Sequence, residues 1–263
     1  MEGWAERLTG ETDLAGHSKW AQIKRSKAVT DAARGRTFGK MGREIAVAAR
    51  LGGGDPNFNS RLRTAIATAK SVNMPAANID RAIQRGTGEL PGMSFEETTY
   101  EGYGPGGVAL LMECVSDNTN RTVAELRHRI EKSGGNLGQT GSVAWMFERR
   151  GQIYVDAERF AEEPVFESAL AAGAEDLATE DGTHVLTTAV GDFHVVQDAL
   201  RADGIEVSEA ELAWLPTTTI QVEGREAEKL IRLIEDIEEH DDVMKLWANF
   251  EVDEEAFAAL GAE

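Results

Sequence analysis

The stretch VALLMECVSDNTNRTVAELRHRIEKSGG, residues 108–135, places a strand directly against a helix, and the rest of the chain falls into order around it. VALLMECVS, 108–116, is apolar except for Glu113 and the terminal Ser116 and reads as a strand. NRTVAELRHRIEKSGG follows with helical spacing, with Thr122 and Glu125 as a capping box and Gly134 as the stop. Downstream, SVAWMFERR (142–150) and GQIYVD read as strands, PVFESALAAGA as a helix, and EDLATEDGTHVLTTAV as a hairpin turning at Asp181-Gly182. DFHVVQDALRADG is a helix and residues 206–215 a strand; after Pro216 come TTTIQVEG, the helix REAEKLIRLIEDIEEH and the strand VMKLWANFEV. In this order the elements form two copies of β-α-β-β-α-β, the ferredoxin-like motif, with the copy at about 151–215 inserted in the other. The nesting predicts that Val108 to Ser116 and Val243 to Val252 share one sheet.

Upstream of Gly88 the pattern is helical throughout. Phe38, Met41, Ile45 and Ala49 form an apolar stripe, and Arg36, Lys40, Arg43 and Arg50 centre on the opposite side. That basic face reads as open to solvent or phosphate, so its neutralisation should cost affinity and little stability. LGGGDP ends this helix; a second, about 58–72, buries Leu62, Ile66 and Ala69. A third, opened by Pro75, buries Ile79 and Ile83 and ends at Gly86. The fold class is therefore α+β multidomain: an N-terminal three-helix domain at 15–90, then a ferredoxin-like domain at 91–150 plus 216–252, with a second one inserted at 151–215. Residues 1–14 read as an extension, disordered or from a misread start, and 253–263 as a tail.

Charge divides the chain the same way. Residues 15–90 carry a net charge of +9 and residues 91–263 a net of −25, within a total of −19. A basic segment in so acidic a chain points to a polyanionic partner, because neutralising phosphates releases counterions. Trp20, set among Lys19, Lys24, Arg25 and Lys27, reads either as a ring stacking on a base or as a plug in the helical core. The acidic run EDIEEHDD, 235–242, reads as a solvated face.

Other chemistries find no footing. GYGPGG (102–107) lacks the GK[ST] ending of a phosphate loop and reads as a turn before a strand. GGNLGQTGS (134–142) is a glycine-rich connection that touches a nucleic-acid backbone or is simply a loop. Five histidines without HExxH spacing and one cysteine, Cys114, give no expected metal site or cofactor. No set of acids, bases or nucleophiles assembles, so no enzyme is expected and no small-molecule substrate is implied. With no long apolar run or signal peptide, the expected location is the cytoplasm, away from membranes. No stretch after Lys19 stands out as a recognition helix, although Asn78, Arg81, Gln84 and Arg85 have suitable side chains.

Two long strings, AGHSKWAQIKRSKAVTDAARGRTFGKMGREI and ARLGGGDPNFNSRLRTAIATAKSVNMPAANIDRAIQRGTG, resemble the opening of the YebC/PmpR family, whose mitochondrial relative is described as the translational activator of cytochrome c oxidase. YEGYGPGGVALLMECVSDNTNRTVAELRHRIEKSGGNLG and GSVAWMFERRG extend the resemblance, which spans about residues 15–252. It implies a three-domain cytoplasmic protein that binds nucleic acid. Bacterial members are named as DNA-binding transcriptional regulators, and some are tied to rRNA or tRNA in the ribosome and to relief of stalling at proline-rich sequences. The implied contact residues are His17, Ser18, Lys19, Trp20, Lys24, Arg25, Lys27, Arg34, Arg36, Lys40 and Arg43.

Overall fold

A computed structural model describes residues 31–91 and 95–252. Three helices open it: α1 (Asp31–Gly52), α2 (Ser60–Ser71) and α3 (Ala76–Thr87). Their core joins Ile45, Ala48 and Ala49 of α1 to Leu62, Ala65 and Ala69 of α2 and to Ile79 and Ala82 of α3. The small residues let the helices approach closely. At Gly86 an added Cβ would stand 2.2 Å from the Ala46 carbonyl oxygen, so α1 and α3 meet at a point where no side chain fits.

The turn from α1 to α2 is held by one buried amide. Asn59 caps α2 by accepting from the Leu62 N–H at 3.0 Å, and its Nδ2 donates to the carbonyls of Ala48 and Gly53, each at 2.8 Å. The same side chain therefore satisfies orphan groups at the end of one helix and the start of the next. Helix α2 consequently begins after Phe58, which is 88% exposed.

Beyond α3 come β1 (Glu96–Tyr103), a 3₁₀ turn at Pro105–Gly107, β2 (Ala109–Ser116), α4 (Thr119–Lys132), β3 (Asn136–Leu137) and, far downstream, the short β8 (Ile220–Gln221), α7 (Gly224–Glu238) and β9 (Val243–Ala248). Their antiparallel sheet runs β3-β1-β2-β9. Leu110 faces Ala248 and Met112 faces Leu246, which bears out the predicted pairing of these two distant strands as far as Ala248; Phe250–Glu251 is not part of this sheet. Buried side chains of α4 (Leu126, Ile130) and α7 (Leu230, Ile234, Ile237) supply its helical layer. This sheet and α1–α3 belong to one compact unit.

The other unit is built on β4 (Phe147–Asp156), α5 (Glu162–Ala171), β5 (Ala174–Glu180), β6 (Thr183–Thr188), α6 (Phe193–Ala202) and β7 (Val207–Pro216). Its sheet order, β5-β6-β4-β7 with all neighbours antiparallel, is that of the split βαβ motif. The β5–β6 hairpin turns at Asp181 and Gly182, both at positive φ (47° and 75°), as the sequence predicts.

Two expectations need correction. Residues 142–150 are not a strand of the first sheet: Ala144–Met146 is a 3₁₀ turn, and Phe147 begins a strand that continues through Gly151 to Asp156 in the second. Gly151 does not break this strand. It is required there because a Cβ would come within 2.3 Å of Thr188 Oγ1 and 2.5 Å of Phe193 Cδ2. The place in the first sheet is taken by β1, so that sheet does not repeat the β-α-β-β-α-β order. The predicted capping box is also absent, since Asn118 caps α4 and Thr122 lies buried one turn in.

Asn59→Ala would leave the Ala48 and Gly53 carbonyls and the Leu62 N–H without their partner. We expect a loss of about 2–3 kcal/mol, read as a lowered Tm, with far less loss at Asn57, whose side chain, among the described residues, bonds only to exposed Asp55.

Candidate nucleic-acid interface

Of the residues expected to contact nucleic acid, His17, Ser18, Lys19, Trp20, Lys24, Arg25 and Lys27 lie outside the described residues, and Arg34 lies on α1. Arg36, Lys40 and Arg43 continue along α1 at i, i+4 and i+7 and form a row, as their spacing requires. What they face could not be read locally. Arg36 Nη2 pairs with Glu239 Oε1 at 3.1 Å, and Lys40 Nζ donates to the Glu238 carbonyl at 2.6 Å. Arg43 donates to the Asp241 carbonyl and stands 3.5 Å from Asp242 Oδ1. The row sits on the C-terminal end of α7, where outward-pointing carbonyls and the helix dipole favour cations.

Asp242 anchors this contact. It is 1% exposed, and its Oδ2 accepts from Arg121 Nη2 and Thr122 Oγ1, each at 2.7 Å, and from Ser116 Oγ at 3.1 Å. Burial alone would raise its pKa, but the hydrogen bonds from Arg121, Thr122 and Ser116 outweigh that and hold the carboxyl below its ordinary value. Beside it His240 accepts from the Asp242 N–H through Nδ1 at 3.0 Å. Its Nε2 therefore carries the proton and donates to Glu125 at 2.7 Å. The run 235–242 is thus not simply a solvated face: His240 and Asp242 are buried within it.

A second ionic cluster joins the helices to the first sheet. Arg61 of α2 pairs with Glu44 of α1 at 2.8 Å and with Glu97 of β1 at 2.5 Å, and these carboxylates raise its pKa. Arg63 and Lys70 on α2, and Arg81 and Arg85 on α3, are exposed and have no ion-pair partner among the described residues.

The segment GGNLGQTGS is held rather than free, with Asn136–Leu137 paired to β1. The Glu101 carboxylate, buried in β1, accepts N–H bonds from Gly141 at 2.6 Å, Val143 at 2.7 Å and Ala144 at 2.8 Å. Burial pushes its pKa up, and these backbone bonds bring it below the usual carboxylate range. Cys114 is buried in β2, and burial, aided by nearby Asp242, pushes its thiol up to about 12. Among the described residues no group of three or more His, Cys, Asp or Glu is placed to hold a metal, and no helix is long and apolar enough to cross a membrane.

Residues 18–89 match the TACO1/YebC protein N-terminal domain, and residues 95–250 match the TACO1/YebC second and third domain. The chain belongs to the TACO1/YebC family. It is 51% identical over 244 residues to a "probable transcriptional regulatory protein" of Persephonella marina, covering 92% of this chain and 98% of the relative. A protein of the same name from Gemmatimonas aurantiaca is 51% identical over 245 residues, covering 93% and 99%. Among solved structures, the crystal structure of the conserved hypothetical protein Aq1575 from Aquifex aeolicus superimposes with a TM-score of 0.82 at 48% identity, over 90% of this chain and 98% of that one.

Two outcomes follow from the contact between α1 and α7. Replacing Arg36, Lys40 and Arg43 together by Gln should lower stability by about 2 kcal/mol, carried by Lys40 and Arg43, because the Arg36–Glu239 pair is exposed and weak. An unchanged Tm would show that the row is not an anchor. Because the folded Asp242 pKa is depressed, its stabilisation is full above the unfolded pKa near 4 and is lost as pH falls through the folded value. Asp242→Asn should therefore be clearly less stable than wild type at pH 7, and the gap should close on acidification below about pH 4.

Proposed function

We propose that this chain is a non-enzymatic nucleic-acid-binding regulator of gene expression, a DNA-binding transcriptional regulatory protein of the cytoplasm that works without a cofactor. The observation that carries the reading is the division of charge, +9 over residues 15–90 against −25 beyond. An acidic body repels a phosphate backbone, so attraction falls to the basic segment. The names of the relatives support the same reading.

Within the proposed contact set, His17, Ser18, Lys19, Trp20, Lys24, Arg25, Lys27 and Arg34 meet the nucleic acid directly. Arg36, Lys40 and Arg43 hold the root of that segment against α7 and add to its field. The proposed organisation is a basic helical segment at 15–90, an α+β domain drawn from both sides of an insertion, and an inserted domain whose bounds move from 151–215 to about 145–219, because Phe147 to Arg150 and Pro216 pair within its sheet. The inserted arrangement is supported by the first sheet drawing strands from both 96–137 and 243–248.

A second reading, an RNA-binding factor that relieves ribosome stalling at proline-rich sequences, is favoured by Phe58. Its ring is 88% exposed beside a loop that Asn59 makes rigid, a presentation suited to stacking on an unpaired base.

Binding of the full chain to duplex DNA and to structured RNA, measured over a range of salt, tests both. Replacing Lys24, Arg25 and Lys27 by Gln should weaken binding at every salt concentration and reduce the log-log slope by up to about three units. An unchanged slope would remove the basic segment from the interface. Preference for structured RNA, with Phe58→Ala losing about 1–3 kcal/mol there and nothing on duplex, would favour the ribosomal reading.

A further inference from the structure

The basic segment offers phosphate contacts, which position a protein on nucleic acid but carry no sequence information. A different element has the form of a reader. Helices α2 and α3 are joined by the four residues Val72, Asn73, Met74 and Pro75, and the chain reverses through Asn73 at φ 60°. Asparagine tolerates that left-handed conformation. Two helices joined by a short turn and braced by a third form the frame of a helix-turn-helix, whose second helix lies in the major groove.

The exposed side of that second helix carries the side chains such a role requires. At 100° per residue, Asn78, Arg81, Gln84 and Arg85 fall within a sector of about 120° on α3. Ile79 and Ala82 are buried on the other side, and Gly86 is pressed against α1. Arg81 and Arg85 are exposed, Asn78 and Gln84 half-buried, and none of the four side chains has a hydrogen bond or ion pair among the described residues. The acid of the helix, Asp80, lies at the edge of the sector beyond Gln84.

Charge makes the arrangement more than a solvated face. Like charges at i and i+4 repel on a helix, so Arg81 and Arg85 cost stability where they stand. Several guanidiniums elsewhere are held by carboxylates, Arg61 by two, Arg121 by two, and Arg129 and Arg150 by their own, whereas Arg81 and Arg85 stand one helical turn apart with none among the described residues. An approaching polyanion would turn the repulsion on α3 into attraction. The chemistry also selects among polyanions. Arg is matched to guanine O6 and N7, and Asn and Gln to adenine N6 and N7, on major-groove edges. From Asn78 to Arg85 the helix rises about 10 Å, close to three base pairs, and B-form DNA admits a helix where the deep, narrow groove of A-form RNA does not.

We propose that α2, the 72–75 turn and α3 act as a helix-turn-helix, with Asn78, Arg81, Gln84 and Arg85 reading about three base pairs in the major groove of duplex DNA. The proposal rests on the DNA-binding reading and adds a sequence-reading element to it, separate from the phosphate-binding segment.

Selection of the full chain against a randomised duplex library tests it. A preferred sequence should emerge, and Arg81→Ala and Gln84→Ala should each weaken binding to it about 5- to 150-fold while relaxing preference at one base position. Arg81→Lys keeps the charge but loses the two-pronged donor. It should lose the same discrimination, stay within about twofold of wild type on random duplex, and leave the Tm unchanged. If the chain binds nucleic acid but selects no duplex sequence, prefers single-stranded RNA in competition, or selects a sequence that the α3 variants read equally well, the helix assignment is overturned while nucleic-acid binding stands. Failure to bind any nucleic acid overturns both.

Discussion

Much of this architecture depends on one buried carboxylate. Asp242 follows α7, yet it is bonded to Ser116 at the end of β2 and to Arg121 and Thr122 at the start of α4, and it lies beside Arg43 of α1. A lone ion at 1% exposure would be prohibitively costly. With its donors in place it fixes the relative position of four segments, and losing the Arg121 guanidinium leaves charge uncompensated inside. The same point turns α7 so that its carbonyl end meets the cations of α1. Some of the positive charge gathered near the N-terminus is therefore satisfied within the molecule, by acids about two hundred residues away in sequence.

That distance explains what the sequence could and could not reveal. The apolar runs at 108–116 and 243–252, the positive-φ turn at Asp181-Gly182 and the three amphipathic helices were legible because each is a local pattern. Strand β1 was not, because EETTYEGY is polar along most of its length and becomes a strand through pairing with β2 and β3. Gly151 looked like a boundary, whereas the space it leaves is filled by Thr188 and Phe193 from across the sheet. Asp242 lies in a run that reads as a solvated face, since nothing local shows which donors the fold will bring to it, or to Glu101.

The candidate site divides along the same line. That Arg36, Lys40 and Arg43 share a face followed from helical spacing; that the face meets α7 did not, because the acids concerned belong to another part of the chain. Asn78, Arg81, Gln84 and Arg85 could be named from side-chain chemistry alone. Their common sector became visible once α3 was bounded at Ala76 and Thr87 and its buried side identified.

The loop at 139–144 carries a consequence of a different kind. It closes the glycine-rich connection 134–142, whose composition suggests a vacant anion cradle, yet the amides of Gly141, Val143 and Ala144 already converge on the Glu101 carboxylate. The molecule supplies its own counter-anion from an adjacent strand. An incoming phosphate would have to compete with a tethered group that is always at high effective concentration. The segment has the shape of a receptor for something the chain already contains, and it serves as a clasp on β1.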